Sequence, residues 1–585
     1  LYQSIYFDRS TYNIFLRDCK SGWYQFKHNP IFYKRVKHQQ DGALPVLTGG
    51  YCVPVNGKAD WSDPDLLEKD INPELYTLRE LYYSEEDVIP EWHNTVFLDI
   101  EIEMGGALTI QYIKDAQAPI TSIALIDSTT KTKICFIVDK SREIEEINDG
   151  DTHIIPCRTE RELILKFLDK WEEIDPTIVV GWNSEYFDMP YLYFRLGNVV
   201  HEEDRLRLSP IRKIQVQDYN PAILSVRLGG INHLDYMLLH KKYITKEEPS
   251  YKLGDIGEKY VKLGKVEYES NLNTLFKTDK QKFIEYNLRD VEIVEKLEEK
   301  LKFIELTIMI SHICNTPYDQ IYYNTVLGEG AILKYLRGSK IISPNKPTTH
   351  NPSRKNREET YAGGYLLDPV PGLYYDCIDL DYTSLYPSII KSLNLGIETL
   401  VGRIEVNSTY EQNYSLEKLE QRDPNEEIII QRLNKINYTL DSKEIKLGEL
   451  IQIIKDNKYT ISASGALFRT DKQSVTATIL EKWFEKREHY RGMKKQAGKS
   501  EDWSKFALYD TFQLAFKILQ NAMYGTFAKN VWRYTDGHMI CSCAITNSGQ
   551  RLTKASIDYV NGELGNVMEM SKDELIKYFE LDLKK

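Results

Sequence analysis

The chain has 585 residues and a mass of 68.2 kDa, too long for one hydrophobic core, so two to five domains are expected. A hydrophobic content of 42%, a charged content of 28% and a net charge of −12 exclude a disordered chain and a uniformly basic nucleic-acid coat, though not a basic groove on an acidic body. No signal peptide and no apolar run long enough to span a bilayer is present, and eight scattered cysteines without a C-x-x-C read as reduced thiols in a cytoplasmic protein, so no membrane partner is expected.

The first ninety or so residues are rich in Tyr, with strand-like pieces in NIFLRD and GWYQFKH, and read as an N-terminal domain, 1–95. NTVFLDIEIEM then alternates. Val96, Leu98, Ile100 and Ile102 fall on one face of a strand; Asp99, Glu101 and Glu103 fall on the other. SIALID, KICFIVD and PTIVVGWN predict further strands and ERELILKFLDKWEEI a helix, giving an α/β domain over 96–305. Residues 306–345 read as linking helices. The Pro/Asn/Lys-rich stretch 342–359 reads as a surface loop and domain boundary. A strand carrying Asp379 and Asp381 on one face, an irregular insertion at 403–460, and helical patterns at 476–499 and 502–529 follow.

Acids in the first half fall into a pattern. GWNSEYFD ends a strand at Asn183 and sets Asp188 before a helical run; in YNLRDVEIVEKL, Tyr286 and Asp290 lie one turn apart on one side. Carboxylates gathered from these segments repel one another unless divalent cations sit among them. Two such ions, about 3.5–4 Å apart, activate a water and stabilise the departing oxygen in phosphodiester cleavage.

DIE at 99–101, NSEYFD at 183–188 and YNLRD at 286–290 resemble, in order, the three exonuclease motifs of family B DNA polymerases. The resemblance implies an RNase H-like 3′→5′ proofreading exonuclease. In it Asp99, Glu101, Asp188 and Asp290 bind metal and Tyr286 orients the attacking water. Asn183 and Phe187 support or contact the frayed single-stranded DNA 3′ end, with core packing the alternative for Phe187.

DYTSLYPS resembles the first palm motif of the same family, with Asp381 at the metal-binding position and Asp379 outside the motif. The resemblance places backbone around Tyr382, Ser384 and Leu385 against triphosphate oxygens and Tyr386 beneath the incoming sugar, where a ring leaves no room for a 2′-hydroxyl. In KILQNAMYG, Lys517, Asn521 and Tyr524 share a helix face ended by Gly525, similar to the K-x-x-x-N-x-x-Y-G finger motif. Arg487, Arg491 and Lys494 share a face of the preceding helix. The family carries Lys at the position of Arg491, so donor geometry differs there. YAGG supplies Tyr361, Gly363 and Gly364, similar to an element that approaches template backbone.

The implied architecture is an exonuclease domain plus the incomplete palm (346–470 and 531–585) and helical fingers (471–530) of a right-hand polymerase, most similar to replicases of large tailed bacteriophages. Implied partners are primer-template DNA, dNTPs and two Mg²⁺ per site, with Mn²⁺ as an alternative; the compartment is the host cytoplasm. The family's Y-G-D-T-D-S hairpin and thumb are not found after the fingers, and no D-x-D occurs to Lys585. A C-terminal polymerase chain is therefore expected as a partner, and a sliding clamp would bind only through that missing part. A stand-alone 3′→5′ exonuclease and a non-catalytic DNA-binding regulator are the alternatives.

Overall fold

A computed structural model describes residues 1–55, 59–84, 93–220, 223–244, 246–269, 271–347, 363–375, 380–405, 413–529, 532–564, 570–571, 573–574 and 577. It is a mixed α/β structure that divides into two compact units. One comprises residues 1–30, 71–330 and 493–515, the other 31–70, 331–492 and 516–585. The Tyr-rich segment read as one N-terminal domain is thus divided between them. No helix among the described residues is long and apolar enough to cross a membrane.

The first unit centres on a seven-stranded sheet. Its strands are β1 (Thr95–Ile102), β2 (Ile120–Asp127), β3 (Lys133–Val138), β4 (Ile147–Asn148), β5 (Thr152–Cys157), β6 (Ile178–Gly181) and β7 (Asn232–Asp235). They lie in the order β4-β5-β3-β2-β1-β6-β7. β1 runs antiparallel to β2 and parallel to β6. Period-two alternation decides what each face meets. Ile134 and Phe136 of β3 join Val96, Leu98 and Ile100 of β1 in a core with helix α1 (Glu160–Ile174), which buries Leu163, Phe167 and Trp171 there. Each such side chain contributes roughly 1.5–3 kcal/mol. Cys135 and Ile137, pointing the other way, pack with Phe283 and Ile284 of helix α3 (Lys280–Leu301). The expected helix over 160–174 is found with those bounds. Thr159 Oγ1 caps it by accepting from the Glu162 N–H at 3.2 Å, and Asp175 ends it in a left-handed conformation at φ 48°.

Helix α2 (Asp188–Val199) starts immediately after the loop that follows β6. A three-stranded antiparallel sheet of Tyr2–Asp8, Asn13–Asp18 and Gly22–Lys27 matches the two strands read near the N-terminus.

In the second unit, the insertion at 403–460 is not irregular. Strands β8 (Leu400–Ile404), β9 (Glu427–Leu433), β10 (Leu440–Lys446), β11 (Thr460–Ile461) and β12 (Ala466–Phe468) form an antiparallel sheet in the order β10-β9-β8-β12-β11. Ile404, Ile428 and Leu467 pack there against Leu447, Leu450 and Ile454 of a helix over Leu447–Asp456. The reading of 342–359 as a surface loop fails at its start. Ile342, Ser343 and Pro344 are buried, because the Ser343 N–H donates to Glu68 and the Asn345 side chain donates to Leu66 O. Residues 348–359 lie outside the described residues. The strand expected at Asp379 and Asp381 is absent over 380–382: among the described residues no backbone pairs with that segment, and Leu380 is 69% exposed. Asp379 lies outside the described residues.

Candidate metal centre and anion site

β1 carries Asp99 and Glu101 on the face that α3 covers. Register sets the small residues Ala124 and Ser122 of β2 opposite them, which leaves room for α3 above. Asn287 uses that room. Its Nδ2 donates to Asp99 Oδ2 at 2.7 Å, and its Oδ1 accepts from Ser122 Oγ at 2.8 Å, so one amide fixes a carboxylate to the sheet. One turn of α3 brings Asp290 to the same place. Ligand oxygens of Asp99, Glu101 and Asp290 all lie within 4.8 Å of one another. Asp188, the first residue of α2, accepts from the Ile100 N–H at 3.2 Å through Oδ1, which locks the two segments together.

Burial, with repulsion from Asp188, Asp290 and Glu101, holds Asp99 well above the usual carboxylate range. Burial pushes Glu101 up to about 8, Asp290 adding to the shift and Lys265 opposing it. Asp188 is raised to about 7 by burial, against the Ile100 N–H. Burial raises Asp290 as well.

The cation opposing these acids is Lys265, from the segment following the helix Leu253–Val261. Its Nζ lies 2.5 Å from Asp290 Oδ2 and 2.9 Å from the Tyr286 hydroxyl. Burial would lower its basicity, but Asp290 and Tyr286 outweigh burial and raise it above the ordinary lysine value. Three carboxylates, Asp99, Glu101 and Asp290, thus share one ammonium, and the buried Asp290 Oδ1 has no hydrogen-bond partner among the described residues. The potential metal ligands that meet there among the described residues are all carboxylate oxygens. That donor set and that orphaned oxygen fit divalent cations of the Mg²⁺ or Mn²⁺ kind.

The loop between β6 and α2 is held from behind. Asn183 takes φ 63°, a left-handed conformation that asparagine tolerates. Its N–H and that of Glu185 donate to the two oxygens of Asp235, at 3.2 and 3.1 Å. His233 pairs with Ser184 Oγ at 2.8 Å and with Glu185 at 3.0 Å. Phe187 is half-buried against the core, its ring 5.6 Å from that of Tyr191. Sequence reasoning named neither Lys265, Asn287, Asp235 nor His233. Only Asn287 carried a signal, lying between the two residues singled out in YNLRD.

The second unit carries a different site. Ser384, at φ 55°, precedes helix α4 (Leu385–Leu393), and Asp381 just before it is exposed. Asp381 belongs to no cluster of potential metal ligands among the described residues. Tyr386 lies with its ring 4.4 Å from that of Tyr524 on helix α6 (Trp503–Phe527). Helix α7 (Ile540–Tyr559) presses Gly549 against Tyr386, where a Cβ would approach Cε1 to 2.8 Å. Gly364 faces the Tyr386 hydroxyl, and Gly363 O accepts from Gln550 at 2.6 Å. Tyr361 lies outside the described residues.

Arg487, on helix α5 (Val475–Lys499), reaches Ser384 Oγ at 3.5 Å and Gln520 Oε1 at 3.4 Å, both at the limit of hydrogen bonding. Its Nε and the Gln520 Nε2 are buried without partners, and burial together with Arg491 lowers its basicity. A guanidinium left short of acceptors beside a second cation is the electrostatic signature of an anion site. Arg491 pairs with Glu488 at 2.7 Å; Lys494 pairs with Asp510 at 2.7 Å, both in the segment 493–515 that groups with the first unit. Lys517 and Asn521 stand exposed on α6, with Gly525 one turn beyond Asn521.

Comparison with known proteins agrees with both halves. The family model for DNA polymerase family B, exonuclease domain, matches residues 70–256, and that for DNA polymerase family B matches residues 323–579. The DNA-directed DNA polymerase of Escherichia phage RB69 is 27% identical over 480 residues, covering 73% of this chain and 48% of that protein. The DNA-directed DNA polymerase of Enterobacteria phage T4 is 28% identical over 260 residues, 44% of this chain and 28% of that protein. DNA polymerase 1 of Saccharolobus solfataricus is 25% identical over 454 residues, 74% of this chain and 44% of that protein. The chain spans less than half the length of these relatives. Two matches of one family, in the order of the two sites, lead to one conclusion: the chain belongs to DNA polymerase family B.

Proposed function

We propose that this chain is the exonuclease-bearing N-terminal part of a replicative DNA-directed DNA polymerase, and that Asp99, Glu101, Asp188 and Asp290 form its 3′→5′ exonuclease centre. The observation that carries this reading is the close meeting of the half-buried Asp99 and Glu101 with the buried Asp290, which carries an orphaned oxygen. Bound there, divalent cations, Mg²⁺ by preference, supply Lewis-acid charge to the attacking water and the leaving oxygen. The protein's own groups do the rest. Asn287 and the Ile100 N–H fix the carboxylates of Asp99 and Asp188 before substrate arrives. Lys265 holds the Tyr286 hydroxyl beside Asp290, so that the phenol orients the water toward the phosphorus. Asn183 and Phe187, on the buttressed loop, meet the single-stranded 3′ end.

The sheet and its helices are read as an RNase H-like domain over 96–305. The second unit is read as palm and fingers of a right hand, acting on primer-template DNA. Arg487, Arg491, Lys517 and Asn521 take the triphosphate, Ser384 and Leu385 present backbone to it, and Tyr386 with Tyr524 forms the floor under the sugar and base. Tyr361, Gly363, Gly364 and Gly525 line the DNA. Polymerisation requires further acids beside Asp381, supplied by a C-terminal segment that also carries the thumb and any clamp contact.

Trimming of a 5′-labelled single-stranded oligonucleotide tests the exonuclease. A Mg²⁺-dependent ladder lost in Asp99→Ala and Asp290→Ala is expected; undiminished trimming by both variants would remove the assignment. A second reading, a nuclease acting alone, draws on the exposed and unaccompanied Asp381. Primer extension that appears on adding a thumb-bearing segment rules that reading out.

A further inference from the structure

The insertion sheet of the second unit encloses a cavity of about 320 Å³ that neither proposed site uses. Its lining includes Arg432 of β9, Lys435 from the turn between β9 and β10, Arg469 and Asp471 following β12, and Asn457 and Tyr459. We infer that this cavity is a phosphate-binding site, with Arg432 and Lys435 as its principal ligands.

Charge carries the inference. Arg432 is exposed and makes no side-chain hydrogen bond or ion pair among the described residues. Lys435 donates to the carbonyl of Glu398 at 2.8 Å, and the Glu398 carboxylate is its principal opposing charge. Arg469 is engaged by Asp471, and Lys472 adds a fourth positive charge to the field at Lys435. The Glu398 carboxylate opposes Lys435 from outside the cavity lining, its Oε1 accepting from the Val475 N–H at 2.6 Å, and it leaves the exposed Arg432 without a counter-charge. Burial, reinforced by Lys472 and Arg469 and opposed by Glu398, pulls the Lys435 amine down to about 8. Three cations against the single carboxylate of Asp471, with Arg432 unpaired among the described residues and amide and phenol donors alongside, make a lining suited to an anion. The volume lies at the small end of ligand sites. It suits one phosphate with its sugar rather than a whole nucleoside triphosphate. That phosphate comes either from a nucleic-acid backbone or from a small phosphate ester, and the chemistry of recognition is shared.

The test is labelling of Lys435 by acetic anhydride at pH 8 with peptide mass analysis, on the full chain. The probes are inorganic phosphate and an oligothymidylate, each against chloride at equal ionic strength. Arg432→Gln is the variant, chosen because its side chain is exposed, with circular dichroism to confirm folding. Severalfold protection of Lys435, lost in Arg432→Gln, is expected. Protection by the oligonucleotide assigns a backbone phosphate; log affinity against log salt should then flatten by about 0.7 in the variant. Protection by inorganic phosphate alone assigns a small phosphate ester. Lys435 labelled equally with and without both probes overturns the inference, as does protection undiminished in Arg432→Gln.

Discussion

Replacing Glu101 by glutamine keeps the shape of the metal centre and removes one of its charges, so its effect on stability reports the electrostatics directly. In the metal-free protein, burial and Asp290 raise Glu101 from 4.5 to about 8. Between those values the folded chain holds a proton that the unfolded chain has released, so this group's contribution to stability is complete below about 4.5 and is lost as pH rises toward 8. The window spans about 3.5 pH units, and at roughly 1.4 kcal/mol each the loss is on the order of 5 kcal/mol at most. Glutamine mimics the protonated acid and escapes that loss. At about 2 °C per kcal/mol for a domain of this size, Glu101→Gln should melt up to about 10 °C above the parent at pH 9 in EDTA, and the two should converge near pH 5. Thermal unfolding from pH 5 to 9 measures the difference. Saturating Mn²⁺ should narrow the gap at pH 8 to less than half, since an ion present at about 100 times its dissociation constant adds roughly 2.7 kcal/mol to the parent. A difference between the two proteins that stays constant from pH 5 to 9 would refute the reasoning.

Other outcomes follow from the same geometry. Lys265→Met removes the cation that contacts Asp290 and Tyr286 and should slow single-turnover trimming by about 100-fold or more, with Lys265→Arg recovering part of it. Arg487→Ala should weaken dNTP binding by roughly 10-fold or more in calorimetry while leaving trimming of single-stranded DNA unchanged, because the unsatisfied guanidinium belongs to the second site. Gly549→Ala drives a methyl into the Tyr386 ring and should lower stability by about 1–3 kcal/mol in urea titration; no change would mean that α7 gives way there.

How much of this was readable beforehand depended on periodicity. β1 announced itself because four apolar residues alternate with acids, and that alternation also aimed Asp99 and Glu101 at one face. Tyr286 and Asp290 were placed by helical spacing alone. Lys265 was invisible: it lies in a stretch with no regular element, and its partners are 21 and 25 residues away. Asp235 and His233 sit on a short, fully buried strand whose side chains act backward onto a loop some fifty residues earlier. The insertion sheet escaped because its hairpin strands are largely exposed. LDSKEIK of β10 buries almost nothing, so it lacks the alternation that marks a strand. The opposite error came at Asp381, where an apolar-acidic alternation suggested a strand that has no ladder partner among the described residues. Spacing reports a face; it does not report whether another segment covers it.

The central claim is that the acids of the first unit meet in order to hold cations. Anomalous scattering from a crystal soaked in Mn²⁺ tests it most directly. Ion density bounded by Asp99, Glu101 and Asp290, with Asp188 at its edge, is the predicted result. Carboxylates found apart, or together with no ion between them at saturating Mn²⁺, would contradict it.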